Sequence, residues 1–431
     1  MSKVTEWKWI RLGDACNFIG GGTPSKEQKQ FWGGDIPWAS VKDVKGEFLN
    51  STQNTITKIG LESSASNVAE QGDVILITRI SPGKTIISNI RTAINQDLKV
   101  AKPKFKTTSK FMSYYFRAFE REIVKKSSGT TVLGITLNNL NELPIPVLDF
   151  ETQQAIVSKI EELFSEVDKG IENLRIAQQQ LKTYRQSVLK WAFEGKLTEE
   201  WRKKNTKKVK GTVPKVGTQP NGGLPERWEW VKITDLVPKD KHSLKAGPFG
   251  SSLKKEHYVS KGYKVYGQEQ VISGDPYFGD YYIDKEKYKE LFTNRIKPFD
   301  ILISLVGTVG KVLILPANCD EGIINPRLIK VSLDRNVYLS SFFKYYFESS
   351  KVKSFYSGET RGTTMDVLNL GIIKTIDFPL CSIQEQQAIV EEIESRLSVA
   401  DKMEESIATS LQQAEALKQS ILKMAFEGRL V

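Results

Sequence analysis

Cysteine and histidine are scarce in this sequence. Its 431 residues include 3 cysteines and 2 histidines. Cys16, Cys319 and Cys381 lie far apart, which excludes a disulfide framework and a metal site of the usual cysteine spacing. Neither His242 nor His257 has neighbours suited to nucleophilic or metal-assisted catalysis. The chain therefore looks like a protein that binds a partner without chemistry of its own.

Long apolar runs are also missing. No stretch approaches the roughly 18 apolar residues that a membrane-spanning helix needs. The segment from Met1 to Glu6 opens no apolar signal segment. Widely spaced cysteines fit a reducing compartment. We therefore expect a cytoplasmic protein with no membrane partner.

A complete nucleotide-binding motif is absent. Segment 79–85 ends like half of a phosphate-binding loop, but the full pattern needs a glycine where Thr78 stands. Its counterpart, 307–311, is followed by valine, which cannot supply a metal-binding hydroxyl. We expect both segments to be strand-turn-strand elements. Their cations would face a phosphate backbone: Arg79, Lys84 and Lys311.

Positive charge is in excess. There are 62 Lys and Arg residues against 51 Asp and Glu, a net charge of +11. This balance favours a polyanionic partner such as nucleic acid. A merely soluble basic protein would show the same balance, so charge alone leaves both interpretations open. The length allows two or three domains, each with its own core.

One passage occurs twice. Gln153–Val157 (QQAIV) returns as Gln386–Val390, and Ala192–Gly195 (AFEG) returns as Ala425–Gly428. Both pairs are 233 positions apart (386 − 153 and 425 − 192), so the intervening segments align without a gap. An internal repeat of this kind predicts two similar halves, each a variable block followed by one long helix.

Both predicted helices contain a heptad stripe, which is the spacing of a coiled-coil seam. A long helix cannot bury such a stripe against itself. Its simplest partner is the other copy, in an antiparallel pair that would hold the two variable blocks apart. The positions that recur every seven residues are Ile160, Val167, Leu174, Leu181 and Val188, and in the second copy Ile393, Ala400, Ile407, Ala414 and Ile421.

The variable blocks, residues 1–145 and 224–378, contain short apolar runs between Gly/Pro turns. They predict an α+β fold of two similar domains. These domains are separated by an antiparallel coiled coil of two long helices, with a pseudo-two-fold internal repeat. The helix regions are 146–202 and 379–431. A polar, basic linker occupies 203–223 and is more simply a solvated connector than a nucleic-acid clamp.

Glycine-rich loops in both blocks indicate where a phosphate backbone could approach. Ser, Thr and Lys side chains contact phosphate oxygens, and amides and cations read base edges. For any single residue, an ordinary turn with a solvated side chain would look the same. The candidate nucleic-acid contacts are Thr23, Ser25, Lys26, Trp38, Arg79, Lys84 and Thr130 in the first block, and Lys245, Ser251, Lys254, Lys255, Gln268, Lys311, Arg361 and Thr363 in the second.

The duplicated motifs resemble those of the specificity subunits of type I restriction-modification systems, over essentially the whole chain. Gly21–Ser25 is also similar to a common opening of one class of target-recognition domain. Val147 and Leu380 depart from the family pattern, which usually has a second proline there, and Thr152 replaces the usual Glu. The motifs that carry the resemblance are Leu143–Pro146, Gln153–Val157 and Ser187–Leu197, with second copies at Pro379, Gln386–Val390 and Ser420–Leu430.

The resemblance implies two target-recognition domains that each read half of a bipartite, asymmetric DNA site. It implies double-stranded DNA as one partner and two modification subunits, which use S-adenosylmethionine to methylate adenine. Restriction subunits that use ATP and Mg would join them. It implies no cofactor, catalytic residue or metal ligand in this chain. A self-sufficient methyltransferase or nuclease, and a coiled-coil scaffold without sequence preference, are the alternatives.

Overall fold

The computed structural model describes residues 7–205, 223–249, 252–359 and 368–431. The chain divides into two compact units. Unit 1 comprises residues 1–176 and 407–431, and unit 2 comprises residues 177–406. Each unit therefore contains one variable block and a part of both long helices.

Unit 1 contains two sheets of short strands. One has the strand order β2-β10-β7-β8-β4, the other has β5-β3-β9-β6, and β1 pairs with β11. The pairs β3/β9 and β4/β8 are parallel. The elements are β1 (Lys8–Arg11), α1 (Leu12–Ala15), β2 (Cys16–Gly20), β3 (Trp32–Ala39), β4 (Phe48–Leu49), β5 (Asn54–Ile56), α2 (Lys58–Glu62), β6 (Asn67–Ala69), β7 (Val74–Ile77), β8 (Thr85–Ser88), β9 (Thr92–Ile94), β10 (Leu98–Pro103), α3 (Ser109–Ala118), α4 (Glu120–Lys125), α5 (Leu137–Asn141) and β11 (Pro144–Val147).

The first long helix and unit 2 follow. The sheets of unit 2 have the orders β13-β20-β17-β18 and β14-β16-β15-β19, and β12 pairs with β21. The elements are α6 (Phe150–Phe193), α7 (Glu199–Asn205), β12 (Glu229–Lys232), β13 (Leu244–Ala246), β14 (Tyr258–Val259), β15 (Tyr263–Tyr266), α8 (Gln268–Ser273), β16 (Tyr282–Ile283), α9 (Lys285–Glu290), β17 (Ile301–Ser304), β18 (Val312–Ile314), β19 (Gly322–Ile324), β20 (Leu328–Val331), α10 (Ser340–Phe347), α11 (Ser350–Glu359), α12 (Leu370–Thr375), β21 (Asp377–Leu380) and α13 (Ile383–Phe426).

The two units repeat one topology. The order β2-β10-β7-β8 corresponds to β13-β20-β17-β18, and the parallel pair β3/β9 corresponds to β15/β19. The central strands β7 and β17 are buried at every position and are apolar except for Ser304, as expected for strands covered on both faces. The predicted α+β fold with an internal repeat is confirmed.

A buried glutamine at the start of each long helix explains why the QQAIV motif is repeated. Gln153 and Gln386 are 0% exposed. The Gln153 amide donates to Leu148 O at 2.9 Å and to Lys106 O at 3.1 Å. The Gln386 amide makes the equivalent pair of bonds within unit 2. The glutamine therefore fastens the helix to its own domain.

The long helices run antiparallel within each unit. In unit 1, Ile156 and Ile160 near the start of α6 share a core with Leu422 and Ala425 near the end of α13. In unit 2, the end of α6 shares a core with the start of α13. The heptad stripe is therefore covered only in part: five of its ten positions are buried (Ile160, Val188, Ile393, Ala400 and Ile421), and the other five are half-buried. Among the described residues, no helix combines the length and apolar character needed to cross a membrane.

Candidate nucleic-acid interface

In unit 1 the glycine-rich loop after β2 packs tightly on the β9–β10 loop. Gly22 N donates to Ile94 O at 3.0 Å. A Cβ on Gly21 would lie 2.2 Å from the same carbonyl oxygen, so only glycine fits there. The triple-glycine signal therefore marks a close approach between two loops, and this contact positions the side chains that follow.

A polar network ties these two loops to the turn between β7 and β8. The Thr23 hydroxyl donates to the Gln96 side-chain oxygen, and the Gln96 amide donates to Asp97 at 3.3 Å. Asn95 donates to the same carboxylate at 3.1 Å. Arg79 lies 3.2 Å from the other Asp97 oxygen, with 49% of its side chain exposed. Asp97 thus orients the guanidinium, and about half of the Arg79 side chain stays exposed.

The segment 128–134 packs beside the β7–β8 turn. Gly134 forms an isolated antiparallel β-bridge with Arg79, and Ser128 and Gly134 exchange two backbone hydrogen bonds of 2.9 and 3.0 Å. Thr130 is exposed within this segment. The structure therefore brings three of the predicted contacts, Thr23, Arg79 and Thr130, onto one set of connected loops.

Lys84 is exposed at the end of the β7–β8 turn and lines a groove of about 1000 Å³ between α3 and α6. The groove contains cations and anions in ion pairs, including Lys110 with Glu161 and Lys418 with Asp168. Such a balanced lining has little attraction for a polyanion. Lys84 also ends the β7–β8 turn that carries Arg79, so it lies on the same turn as that arginine.

Trp38 requires a correction. The sequence predicted a nucleic-acid contact, but Trp38 is 5% exposed and its indole N–H already donates to Gly22 O at 3.1 Å. Its ring packs edge-on against Trp32 at 5.1 Å. Trp38 therefore holds the glycine-rich loop in place through its hydrogen bond to Gly22 O. Ser25 and Lys26 of that loop are exposed and stay predicted contacts.

Unit 2 repeats the three-loop arrangement with different side chains. A Cβ on Gly247 would lie 1.8 Å from Asn325 O, so the loop after β13 meets the β19–β20 turn as in unit 1. The Gln268 amide donates to Val306 O in the β17–β18 turn. Lys311 is exposed at the end of that turn. Gln268 and Lys311 therefore lie on connected loops.

The other predicted residues of the second block are less closely connected. Lys245 is half-buried on β13. Lys254 and Lys255 are exposed on a separate loop, where Lys254 N donates to His257 Nδ1 at 2.9 Å. Ser251, Arg361 and Thr363 lie outside the described residues, as does most of the linker predicted at 203–223.

Sequence reasoning missed the residues that organise the cluster. Gln96 and Asp97 connect Thr23 to Arg79, yet no motif singled them out. The repeated Ile-Asn pair ending in Asn95 and Asn325 was the available signal, because both asparagines begin the turn that carries the network. In the part of the chain that the structure describes, no group of three or more His, Cys, Asp or Glu residues could hold a metal ion.

Comparison with known proteins gives consistent matches. The family model for the type I restriction modification DNA specificity domain matches residues 5–176 and 225–413. The type I restriction enzyme EcoBI specificity subunit of Escherichia coli is 24% identical over 333 residues, which cover 77% of this chain and 68% of that protein.

Two solved structures have a similar fold. A chain from a structure on complex assembly and conformational transition of the type I R-M system aligns over 100% of both chains, with a TM-score of 0.67 and 17% identity. The HsdS subunit from Thermoanaerobacter tengcongensis aligns over 98% of this chain and 97% of its own, with a TM-score of 0.54 and 18% identity. Since the family model covers most of the sequence in two copies, the chain belongs to the family of type I restriction modification DNA specificity domains.

Proposed function

We propose that this chain is the DNA sequence-specificity subunit of a type I restriction-modification complex and that it reads a bipartite, asymmetric site. The observation that carries the proposal is the repeated three-loop arrangement. Two units share one topology and one loop packing, but the side chains at equivalent loop positions differ. A shared scaffold with different loops suits two readers of two different half-sites.

The exposed cations of the loops supply affinity in this proposal. Lys84 and Lys311 occupy equivalent positions, 227 residues apart, at the ends of equivalent turns (311 − 84). An ammonium group on a phosphate releases counterions, and each contact contributes about −0.9 to the salt slope of binding. Arg79, oriented by Asp97, can also reach a base edge.

We also propose that the two long helices set the distance between the half-sites. Half-sites on one face of DNA lie near one helical turn apart, about 34–36 Å, or a multiple of it. Each long helix is 44 residues without interruption. A stiff pair of helices fixes a distance that a flexible linker would leave open.

The proposed role is recognition without catalysis. Two modification subunits, with S-adenosylmethionine, would dock on this chain and methylate adenine in the cytoplasm. Restriction subunits, with ATP and Mg, would join that core. Methylation requires the target base to leave the helix, so a specificity subunit that holds the flanking DNA firmly would assist its partners.

Selection from randomised duplexes tests this function. The full chain, co-purified with its modification subunits, is expected to select two short motifs separated by a fixed, unspecified spacer. Selection of one continuous motif, or of none, would contradict the proposal. In parallel, the chain alone is expected to transfer no methyl group and to cut no DNA; either activity would favour a self-sufficient enzyme.

A further inference from the structure

The turns around β7 and β17 have a left-handed backbone at three equivalent positions, and one of them is glycine in both units, as Gly83 and Gly310. At the other two positions the units differ. The first is Gly72 in unit 1, with φ of +89°, and Phe299 in unit 2, with φ of +68°. Their backbone N–H groups donate to equivalent carbonyls: Gly72 N donates to Ser88 O at 2.7 Å, and Phe299 N donates to Leu315 O at 3.0 Å. The fold thus imposes this conformation, whichever residue stands there.

The second position is Ile80 in unit 1, with φ of +76°, and Gly307 in unit 2, with φ of +71°. A residue other than glycine is uncommon in this region, and a β-branched residue there is a true outlier. Each unit therefore has glycine at one of the two positions and a strained side chain at the other. Strained residues persist only where the surrounding structure holds them in place, and they cluster at functional sites.

The side chain of Phe299 has a use within its own unit. It is half-buried, and the Arg335 guanidinium lies over its ring at 3.9 Å. Ile80 differs, because 54% of its surface is exposed. Single exposed aliphatic residues are ordinary on protein surfaces. Ile80 is unusual because it has both an exposed side chain and a left-handed backbone. Unit 2 has glycine at the equivalent position.

The surroundings of Ile80 hold it firmly and point to a nucleic-acid ligand. Its N–H donates to Leu133 O at 2.8 Å, and the preceding residue, Arg79, bridges to Gly134. The guanidinium beside it is oriented by Asp97. A fixed aliphatic group next to a half-exposed arginine can contact the apolar part of a base while the arginine binds a polar edge or a phosphate.

We propose that Ile80 is a specificity-determining residue that places its aliphatic side chain against a base pair in the half-site read by unit 1. This inference rests on the proposed DNA-recognition function. Unit 2, with Gly307 at this position, makes no equivalent contact. Two modes share this chemistry: contact with a thymine methyl group in the major groove, and insertion as a wedge between two base pairs.

The test compares three variants of Ile80 in the full chain with its modification subunits, on the duplex selected by the native complex. Ile80→Gly and Ile80→Asn remove the aliphatic group and tolerate the left-handed backbone, whereas Ile80→Val keeps a branched aliphatic group. We expect the Gly and Asn variants to bind about tenfold more weakly, since losing one base-pair contact has an effect of this order. Both should lose preference at one position of one half-site, and Val should retain it.

The control is Phe299→Gly, which relieves the strain of a left-handed backbone in unit 2, at the position equivalent to Gly72. We expect it to leave the selected motif unchanged, and we expect the thermal midpoint of Ile80→Gly to be equal to or above that of the native chain. If Ile80→Gly keeps the motif and binds within twofold of the native chain, the inference is overturned. If the native complex itself selects no split motif, the proposed function fails instead.

Modified duplexes separate the two modes. If Ile80 contacts the methyl group, a duplex with deoxyuridine in place of that thymine should bind the native complex more weakly. The same duplex should bind the Ile80→Gly complex no more weakly than the thymine duplex does. A rise in 2-aminopurine fluorescence on native binding that Ile80→Gly lacks would show insertion. Either outcome supports the proposal, and the absence of both contradicts it.

Discussion

Lys418 donates to the Asp168 carboxylate at 2.5 Å, from one long helix to the other within unit 1. The repeat of 233 positions relates Asp168 to Asp401 and Arg185 to Lys418. In unit 2, Arg185 donates to Asp401 at 2.5 Å. The same ion pair therefore occurs twice with the helices exchanged. In each pair the residue numbers add to 586, as one antiparallel register requires.

The first prediction concerns this register. Lys418→Asp should place like charges together and lower the free energy of unfolding, and Asp168→Lys should do the same. The double variant should recover most of the loss. The pairs are partly exposed, so we expect a coupling energy of about 0.5–1 kcal/mol. A double-mutant cycle by urea denaturation measures it. A coupling near zero would show that the pair does not help to define the register.

A second prediction compares the two buried glutamines. Gln386 donates to Cys381 O and Val337 O, and its oxygen accepts from Leu339 N at 2.8 Å. The equivalent oxygen of Gln153 is buried without a partner among the described residues. Replacement of either glutamine by leucine leaves two backbone carbonyl groups without their hydrogen-bond donor. Gln386→Leu also leaves the Leu339 N–H without its acceptor.

We therefore expect Gln386→Leu to lower the free energy of unfolding by about 1 kcal/mol more than Gln153→Leu does. Gln387→Leu, at the neighbouring exposed position, is the control and should have little effect. Denaturant titration of the three variants measures their free energies of unfolding and so ranks the three losses. Equal losses from both buried glutamines would contradict the hydrogen-bond account.

A third prediction concerns pH. Asp149 precedes α6 and accepts from the Thr152 hydroxyl at 2.6 Å and from Thr152 N at 2.8 Å. These hydrogen bonds lower the pKa of Asp149. A carboxyl with a lowered folded-state pKa adds stability above its unfolded pKa, and that stability is lost as pH falls through the lowered value.

The loss of stability in Asp149→Ala should therefore be full at neutral pH and should shrink as pH drops below about 4. Ser382 is the equivalent residue before α13, and its hydroxyl accepts from Glu385 N at 3.3 Å. Because serine does not titrate, the loss in Ser382→Ala should not change over the same range. Unfolding measured from pH 7 to pH 3 tests this. A loss in Asp149→Ala that is constant with pH would refute it.

Much of this fold is predictable from the sequence, because a repeat and a heptad stripe extend over many residues. The antiparallel helices and the similar halves follow from those long patterns. The loop cluster does not. The residues that match Gln96 and Asp97 in the second block are Pro326 and Arg327, so the repeat does not mark the side chains that connect Thr23 to Arg79. Their role depends on loop geometry alone.

Two other positions show why local patterns failed. Trp38 is a predicted nucleic-acid contact beside a glycine-rich loop, but it is buried near the end of β3 and its indole N–H donates within the domain. Ile80 lies in a segment that the sequence predicts to be strand-turn-strand, but β-branched residues favour strands, so nothing local marks its backbone as left-handed. The hydrogen bonds around it impose a left-handed turn instead. Tertiary contacts decide both cases.

A fourth prediction separates phosphate contacts from base contacts. Lys84→Ala and Lys311→Ala should each weaken binding to every sequence equally and reduce the salt slope by about 0.9. Arg79→Ala should in addition relax the preference at one base position. Lys182→Ala, on an exposed face of α6, is the control with an unchanged slope. Titrations at several salt concentrations test this, and an unchanged slope in Lys84→Ala would remove that residue from the interface.

A fifth prediction tests the helices as a spacer. Seven residues inserted after Ile176 and seven after Thr409 would face each other in the register of the ion pairs and preserve the heptad seam. The insertion adds about 10 Å to each helix. We expect the selected spacer to lengthen. A spacer of unchanged length would contradict this role for the helices.

The most direct measurement is an exchange of one variable block. Residues 1–145 would be replaced by the corresponding block of a relative, and the motif of the resulting complex would be selected from randomised duplexes. Independent reading by two units predicts a new sequence in one half-site, with the other half-site and the spacer unchanged. A change in both half-sites, or in neither, would contradict the account.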